Sequence, residues 1–334
     1  RRLIRTRWQF LALVVFMALL LLAPYLVSSR IIAILNMMMI SAVIAVGLQI
    51  CTGYAGQINL GQAAFMGVGA YTASILASKT GLTFLLTIPL AGLSAALFGF
   101  LFGLTAARIK GFYLAVATLA AQFFLVWLFN RVPWFYNYSA SGQISAPERT
   151  FFGIEISGPN TQAWATYLFC LMFVIASAYV ARNLTRGSMG RKWMAIRDMD
   201  IAAEIIGVNP LRAKLTAFAV SSFFIGISGA LFFAIYLGAV EVGEVFGIQK
   251  SFLVLFMIII GGLGSILGAY LGAAFVILIP VASSINSVVI KSAPSLPVFA
   301  TFNLPVLDFG SLTRSPSVFH GLSERTNNTS GTTA

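Results

Sequence analysis

Ile31-Ile32-Ala33-Ile34-Leu35-Asn36-Met37-Met38-Met39-Ile40-Ser41-Ala42-Val43-Ile44-Ala45-Val46-Gly47-Leu48-Gln49-Ile50 is twenty residues long and carries no formal charge. A backbone in hydrocarbon must satisfy its polar groups internally, and about 20 mostly apolar residues let an α-helix do so across a bilayer. The pattern recurs outward from this stretch. Phe10–Val27, Gly61–Ser78, Leu82–Ala107, Phe112–Phe129, Trp164–Ala181, Leu215–Leu237, Gln249–Gly262 and Ser265–Ile290 are further candidates. The chain is 59% hydrophobic and 9% charged, against roughly 45–50% and about 25% for a soluble domain. The expected fold is therefore all-α, a polytopic transmembrane bundle of about eight to nine spans.

The formal net charge of +12 lies in the loops between apolar runs, which suits positive-inside topology and not a nucleic-acid face. One orientation satisfies the whole chain. Arg1, Arg2, Arg5 and Arg7 fall on the cytoplasmic side, as do Arg108 and Lys110, and so does the loop with Arg182, Arg186, Arg191, Lys192, Arg197, Arg212 and Lys214. The third span then begins inside, after the uncharged Thr52–Leu60. Arg30, Lys79, the Arg131–Ala163 connection and the Glu241/Glu244 loop fall outside. Trp134, Phe135, Tyr136 and Tyr138 open that connection as interfacial anchors, and its Pro and Gly suggest an ordered cap. The basic start also resembles a signal peptide, but Ala23-Pro24-Tyr25-Leu26-Val27-Ser28-Ser29 offers no clear cleavage site, so a retained first helix is expected. Cys51 and Cys170 each sit at or within an apolar run and read as packing residues; neither a disulfide framework nor a metal site is suggested.

Three features stand out from the apolar background. Gly264, Gly268 and Gly272 recur every fourth residue and predict a small-residue face for close helix packing, as do Gly99 and Gly103. Gly262-Leu263-Gly264 lacks the strand context of a dinucleotide site, and Lys250-Ser251 lacks the glycine that a phosphate-binding loop needs before its lysine. Gly53-Tyr54-Ala55-Gly56-Gln57-Ile58-Asn59-Leu60-Gly61-Gln62 is a polar, glycine-dense break. It is either an ordinary cytoplasmic turn or backbone unwound at membrane depth, which is tolerated only against protein or a water-filled cavity. On the second reading Tyr54, Gln57, Asn59 and Gln62 line the translocation path.

The third feature is the basic loop. Ile201, Ile205 and Val208 have helical spacing, Asp198 or Asp200 is placed to cap, and Gly207 with Pro210 marks a stop. A solvated loop has no need of apolar residues at that spacing; a partner surface accepts them.

Here the chain resembles the LivM-type permeases of branched-chain amino acid ABC importers. The matching stretches are Thr52–Phe65, Lys110–Leu119, Gly190–Lys214 and Ile260–Ser265, in family order over roughly residues 1–290. The basic loop is similar to the EAA loop of importer permeases, with Ala202, Ala203 and Gly207 at its alanine and glycine positions and Ile201, preceded by Asp200, where the family has glutamate. The resemblance implies that Asp198, Asp200, Ala202, Ala203, Glu204, Gly207, Asn209 and Pro210 couple the chain to a cytoplasmic ATPase. It implies as partners a second, LivH-like permease, two ATPase subunits and a periplasmic or extracellular binding protein, in a bacterial inner membrane with the N-terminus cytoplasmic. It implies no cofactor on this chain, ATP being held by the partners, and no catalysis. Residues 1–292 would form the permease domain and 293–334 an irregular tail, where Pro294, Pro297 and Pro305 interrupt the last apolar stretch and His320 and the Asn327-Asn328-Thr329 sequon are incidental.

Two other classes are disfavoured by residue content. An ion-coupled secondary transporter usually carries intramembrane carboxylates or internal repeats, and the spans here are almost empty of charge. A membrane enzyme needs clustered His, Asp or Glu, and only Glu241 and Glu244 come close.

Overall fold

The structure is a computed structural model, and it describes residues 20–80, 83–106, 111–132, 144–145, 149–151, 154–157, 162–237, 239–240 and 245–292. Arg1–Arg7, most of the first predicted span, Arg108, Lys110, Trp134–Tyr138, Glu241, Glu244 and the tail from residue 293 lie outside these. Two compact units divide the chain at Ala282 and Ser283. In the second, only the end of the last helix, to Ser292, is described.

Each of the other eight predicted spans is helical. They are α1 Ser29–Leu48, α2 Gln62–Thr80, α3 Phe84–Ala106, α4 Phe112–Arg131, α5 Ala163–Arg186, α8 Pro210–Phe232, α9 Ile248–Gly261 and α10 Ile266–Ser292. Two short helices, α6 Ser188–Asp198 and α7 Asp200–Ile205, lie between α5 and α8. Ser29–Tyr54, Leu85–Thr105, Tyr113–Arg131, Ala163–Arg186 and Pro210–Ile235 are long and apolar enough to cross a bilayer. Short ladders pair β1 Ile144–Ser145 with β4 Ala239–Val240, and β2 Arg149–Phe151 with β3 Ile154–Ser157, all antiparallel.

Helix α8 is the hub, packed against α1, α2 and α3. It can hold three neighbours because its contact points carry almost no side chain. A methyl group on Gly226 would overlap Ala95 of α3, and one on Gly229 would overlap the Met66 carbonyl of α2. Without a hydrophobic force between helices in lipid, such close approach is what drives their association. Gly268 and Gly272 play the same part between α10 and α9, facing the carbonyls of Gly261 and Met257. Gly264 does not belong to that stripe. It lies before the helix, in the turn between α9 and α10, with a φ of +84°.

The connection from α1 to α2 is long and irregular. Helix α1 widens into a π-helical segment, Gln49–Tyr54, and α2 starts only at Gln62. Cys51 clusters with Leu114 of α4 and Phe218 of α8. The Ala64 amide, by contrast, donates to Gln122 Oε1 at 2.8 Å, and at 1.5 Å per residue Gln122 stands about 12 Å further along α4 than Leu114. The chain between Tyr54 and Gln62 therefore turns back into the bundle without helical structure.

Candidate functional site

The site has two parts, an exposed short helix at the basic end and the helix break beneath it. α6 is seated by its buried residues. Trp193 is buried and its indole N–H donates to Thr216 Oγ1 at 3.1 Å, Ile196 is buried beside it, and Gly190 closes on the Thr185 carbonyl. Arg191 and Lys192 are exposed on the same helix.

α7 has six residues and buries one, Ala203. Ile201, Ile205 and Ile206 are 74%, 81% and 74% exposed at the basic end, so most of their apolar surface is uncovered among the described residues. What holds so short a helix in place is the Lys214 ammonium, nearly buried, 3.0 Å from Asp200 Oδ2. Ile201, at the position where the resembled loop has glutamate, is exposed, and the adjacent Asp200 makes this pair. Neither aspartate caps α7 through its side chain. Asp198 ends α6, Met199 occupies the N-cap with no side-chain bond, and Asp200 is in the first turn. Val208 is half-buried against the core and does not share the face of Ile201 and Ile205. Gly207 does stop the helix, at a φ of +84° with open space where a side chain would begin. Pro210 starts α8 instead of ending α7, and Asn209 caps that helix by accepting from the Arg212 amide at 3.1 Å. Ala202 and Glu204 are exposed.

In the break, Gln57, Asn59 and Gln62 point into the protein, at 3%, 0% and 0% exposure, while Ile58 between them is 43% exposed. Tyr54 is half-buried. Their bonds are those of a joint. Thr52 Oγ1 donates to the Gln57 carbonyl at 3.0 Å, Asn59 Oδ1 accepts from the Gly61 amide at 2.9 Å, and Gln62 Nε2 donates to the Ser251 carbonyl at 2.6 Å. The start of α2, which would otherwise leave bare N–H groups at depth, is closed by Ser251 Oγ on Ala63 at 3.1 Å and by Gln122 on Ala64. Gln122 Nε2 also donates to the Phe246 carbonyl at 2.7 Å, and Thr118 Oγ1 accepts from the Leu60 amide at 3.0 Å. Both polar atoms of the Gln57 side-chain amide, with Asn59 Nδ2 and Gln62 Oε1, have no hydrogen-bond partner among the described residues. Beside Thr118 a cavity of about 360 Å³ opens among Phe65, Phe102, Phe124 and Phe218.

Sequence reasoning missed Gln122, Ser251, Arg197, Lys214 and Lys250. Gln122 had a signal: an amide in an apolar span is expensive and therefore employed. By sequence Arg197 is one of the loop's basic residues, yet its Nη1 donates to the Gly53 carbonyl at 2.9 Å. Lys250 sits in the first turn of α9 with its ammonium 3.7 Å from the centre of the Phe232 ring. Among the described residues no group of three His, Cys, Asp or Glu could hold a metal.

The family described as the branched-chain amino acid transport system permease component matches residues 30–299. This chain belongs to that permease family. It is 35% identical over 284 residues to the high-affinity branched-chain amino acid transport system permease protein LivM of Salmonella typhimurium, covering 78% of this chain and 66% of that one. To the Escherichia coli protein of the same name it is 33% identical over 289 residues, covering 80% and 67%. The chain thus spans about two thirds of the length of these relatives. No solved structure matches it significantly. As a member of this permease family, with its long apolar helices, the chain is a multi-pass membrane protein.

Proposed function

We propose that this chain is one permease half of an ATP-driven importer, conducting branched-chain or other small amino acids released by an external binding protein. The observation that carries the reading is the α7 surface. Ile201 and Ile205 on this helix and Ile206 just after it are exposed at the basic end, the helix being braced by Asp200 and Lys214, and an apolar surface so placed fits the groove of a partner. Positive-inside topology puts that end in the cytoplasm, where ATP is available. A second permease supplies the other half of the pathway, and two ATPase subunits dock on α7 and its counterpart. This chain performs no bond chemistry; ATP is bound and hydrolysed by its partners. The membrane is the bacterial inner membrane, with the N-terminus on the cytoplasmic side. A zwitterionic aliphatic solute suits spans with few ionisable groups.

The test is to express the chain with the transport subunits encoded beside it, purify through this chain and assay for a bound ATPase. Substituting Ile205→Glu, which places a charge on the exposed face, is expected to remove the ATPase while leaving the chain in the membrane. Retention of the ATPase at wild-type level would exclude α7 as the dock.

A further inference from the structure

We propose that Arg197 is the positioning residue that carries displacement of the α7 dock directly into both helix breaks; this rests on the importer reading above. Arg197 is the penultimate residue of α6, two places before Met199, the extended residue that separates α6 from α7. Its guanidinium reaches across 144 residues of sequence to donate from Nη1 to the Gly53 carbonyl at 2.9 Å. That carbonyl belongs to the π-helical end of α1. Nε is held at the same time by Asp198 Oδ1 at 3.0 Å, which fixes the plane of the fork.

The surroundings of this guanidinium are shaped around it. Gly56 has a φ of +67°, and a side chain there would begin 2.8 Å from Arg197 Cγ, so the arginine stem lies across bare backbone. A side chain on Gly264 would begin 3.2 Å from Nη1. Gly53 and Gly264 are themselves back to back, since a side chain on Gly53 would begin 2.7 Å from the Gly264 amide. Gln49 completes the joint by donating from Nε2 to the carbonyls of Gly262 at 2.9 Å and Ser265 at 3.1 Å. The break after α1 and the turn between α9 and α10 are therefore one unit, and Arg197 joins that unit to the dock. Lysine could not do this. A point cation on a flexible stem lacks the planar fork that bonds in two fixed directions. The Arg197–Asp198 ion pair, a third exposed at the arginine, counts for little alone; its use is to aim Nη1.

Two native thiols make the proposal testable without added labels. Cys51 lies in the π-helical segment two residues from Gly53, and Cys170 lies in α5; both are buried. Buried thiols are inert until their surroundings open. The full chain in membranes is treated with N-ethylmaleimide and each cysteine is followed by peptide mass spectrometry. Arg197→Ala and Arg197→Lys are expected to speed alkylation of Cys51 about tenfold or more, tracking the open population, with Cys170 unchanged. Arg191→Ala, on the same helix, should leave both at the wild-type rate. An unchanged Cys51, or Cys51 and Cys170 rising together, would overturn the proposal, the second result meaning general loosening.

A second arm uses the assembled transporter. Arg197→Lys should keep the ATPase bound but lower solute uptake per ATP hydrolysed about tenfold, because force no longer reaches the joint intact. A wild-type ratio of uptake to hydrolysis overturns the coupling role. A wild-type chain that binds no ATPase defeats the importer reading instead, and the cysteine arm still decides whether Arg197 holds the break.

Discussion

Removing the Asp200 carboxylate tests how α7 is held. An isolated helix needs on the order of 12–15 residues to persist; α7 has six and buries only Ala203, so its position depends on the tie to α8. Asp200→Ala leaves the Lys214 ammonium nearly buried without its carboxylate. Breaking a fully buried pair costs about 3–5 kcal/mol and an exposed one about 0–1. Here the side chains are 24% and 10% exposed for Asp200 and Lys214, so the cost falls between, at about 2 kcal/mol. That corresponds to about a 30-fold rise in local opening of the loop. Trypsin reads this directly, since Arg197 and Arg212 flank α7 and cleavage follows the open population when reclosing is fast. The detergent-solubilised chain carrying Asp200→Ala should be cut there about 30-fold faster than wild type. Asp200→Ala with Lys214→Met, which removes the stranded charge, should recover much of the resistance. Cleavage within about twofold of wild type in the single variant would show that the ion pair does not secure α7 and would refute the reasoning.

Gly207→Asn keeps a residue suited to positive φ and adds only volume, whereas Gly207→Asp also adds a charge. If the loop lies in a partner groove, the aspartate variant should lose ATPase co-purification by orders of magnitude, at several kcal/mol for a desolvated charge, and asparagine should lose less. Gln122→Leu strands the Ala64 amide and the Phe246 carbonyl at depth, at about 1–3 kcal/mol each; thermal unfolding in detergent should start lower by about 5 °C or more, and no shift would mean that these groups find other partners. Cysteines at Ile58 and at Gln57 or Asn59, made after replacing Cys51 and Cys170, should divide by exposure: Ile58→Cys reacts with a polar thiol reagent and the other two do not. The reverse order would place the amide side chains in the aqueous path.

The membrane fold was legible because a span is a composition constraint, and the stretch from Ile31 to Ile50 meets it by itself. The exposed apolar segment was legible from Ile201, Ile205 and the Gly207 stop. Its internal arrangement was not. Capping by Asp198 or Asp200 follows from local propensity, but here Lys214, fourteen residues away in sequence, claims the Asp200 carboxylate and tertiary pairing overrides the cap. In the same way, alternation along Gln57, Ile58 and Asn59 cannot say which side faces inward. The path of the chain just beyond is fixed by Thr118, Gln122 and Ser251 on α4 and α9, which bond Leu60, Gln62, Ala63 and Ala64 only after those helices have packed. Gly264 left the predicted stripe because a four-residue spacing does not reveal where a helix begins.

The central claim, that this chain is half of an ATP-driven pathway, is tested most directly by uptake of labelled leucine into liposomes. The chain alone should give no uptake above empty vesicles under any ion gradient, and uptake should appear only when the second permease, the ATPase subunits, the binding protein and ATP are present. Robust uptake by the chain alone, driven by an ion gradient and indifferent to ATP, would contradict it.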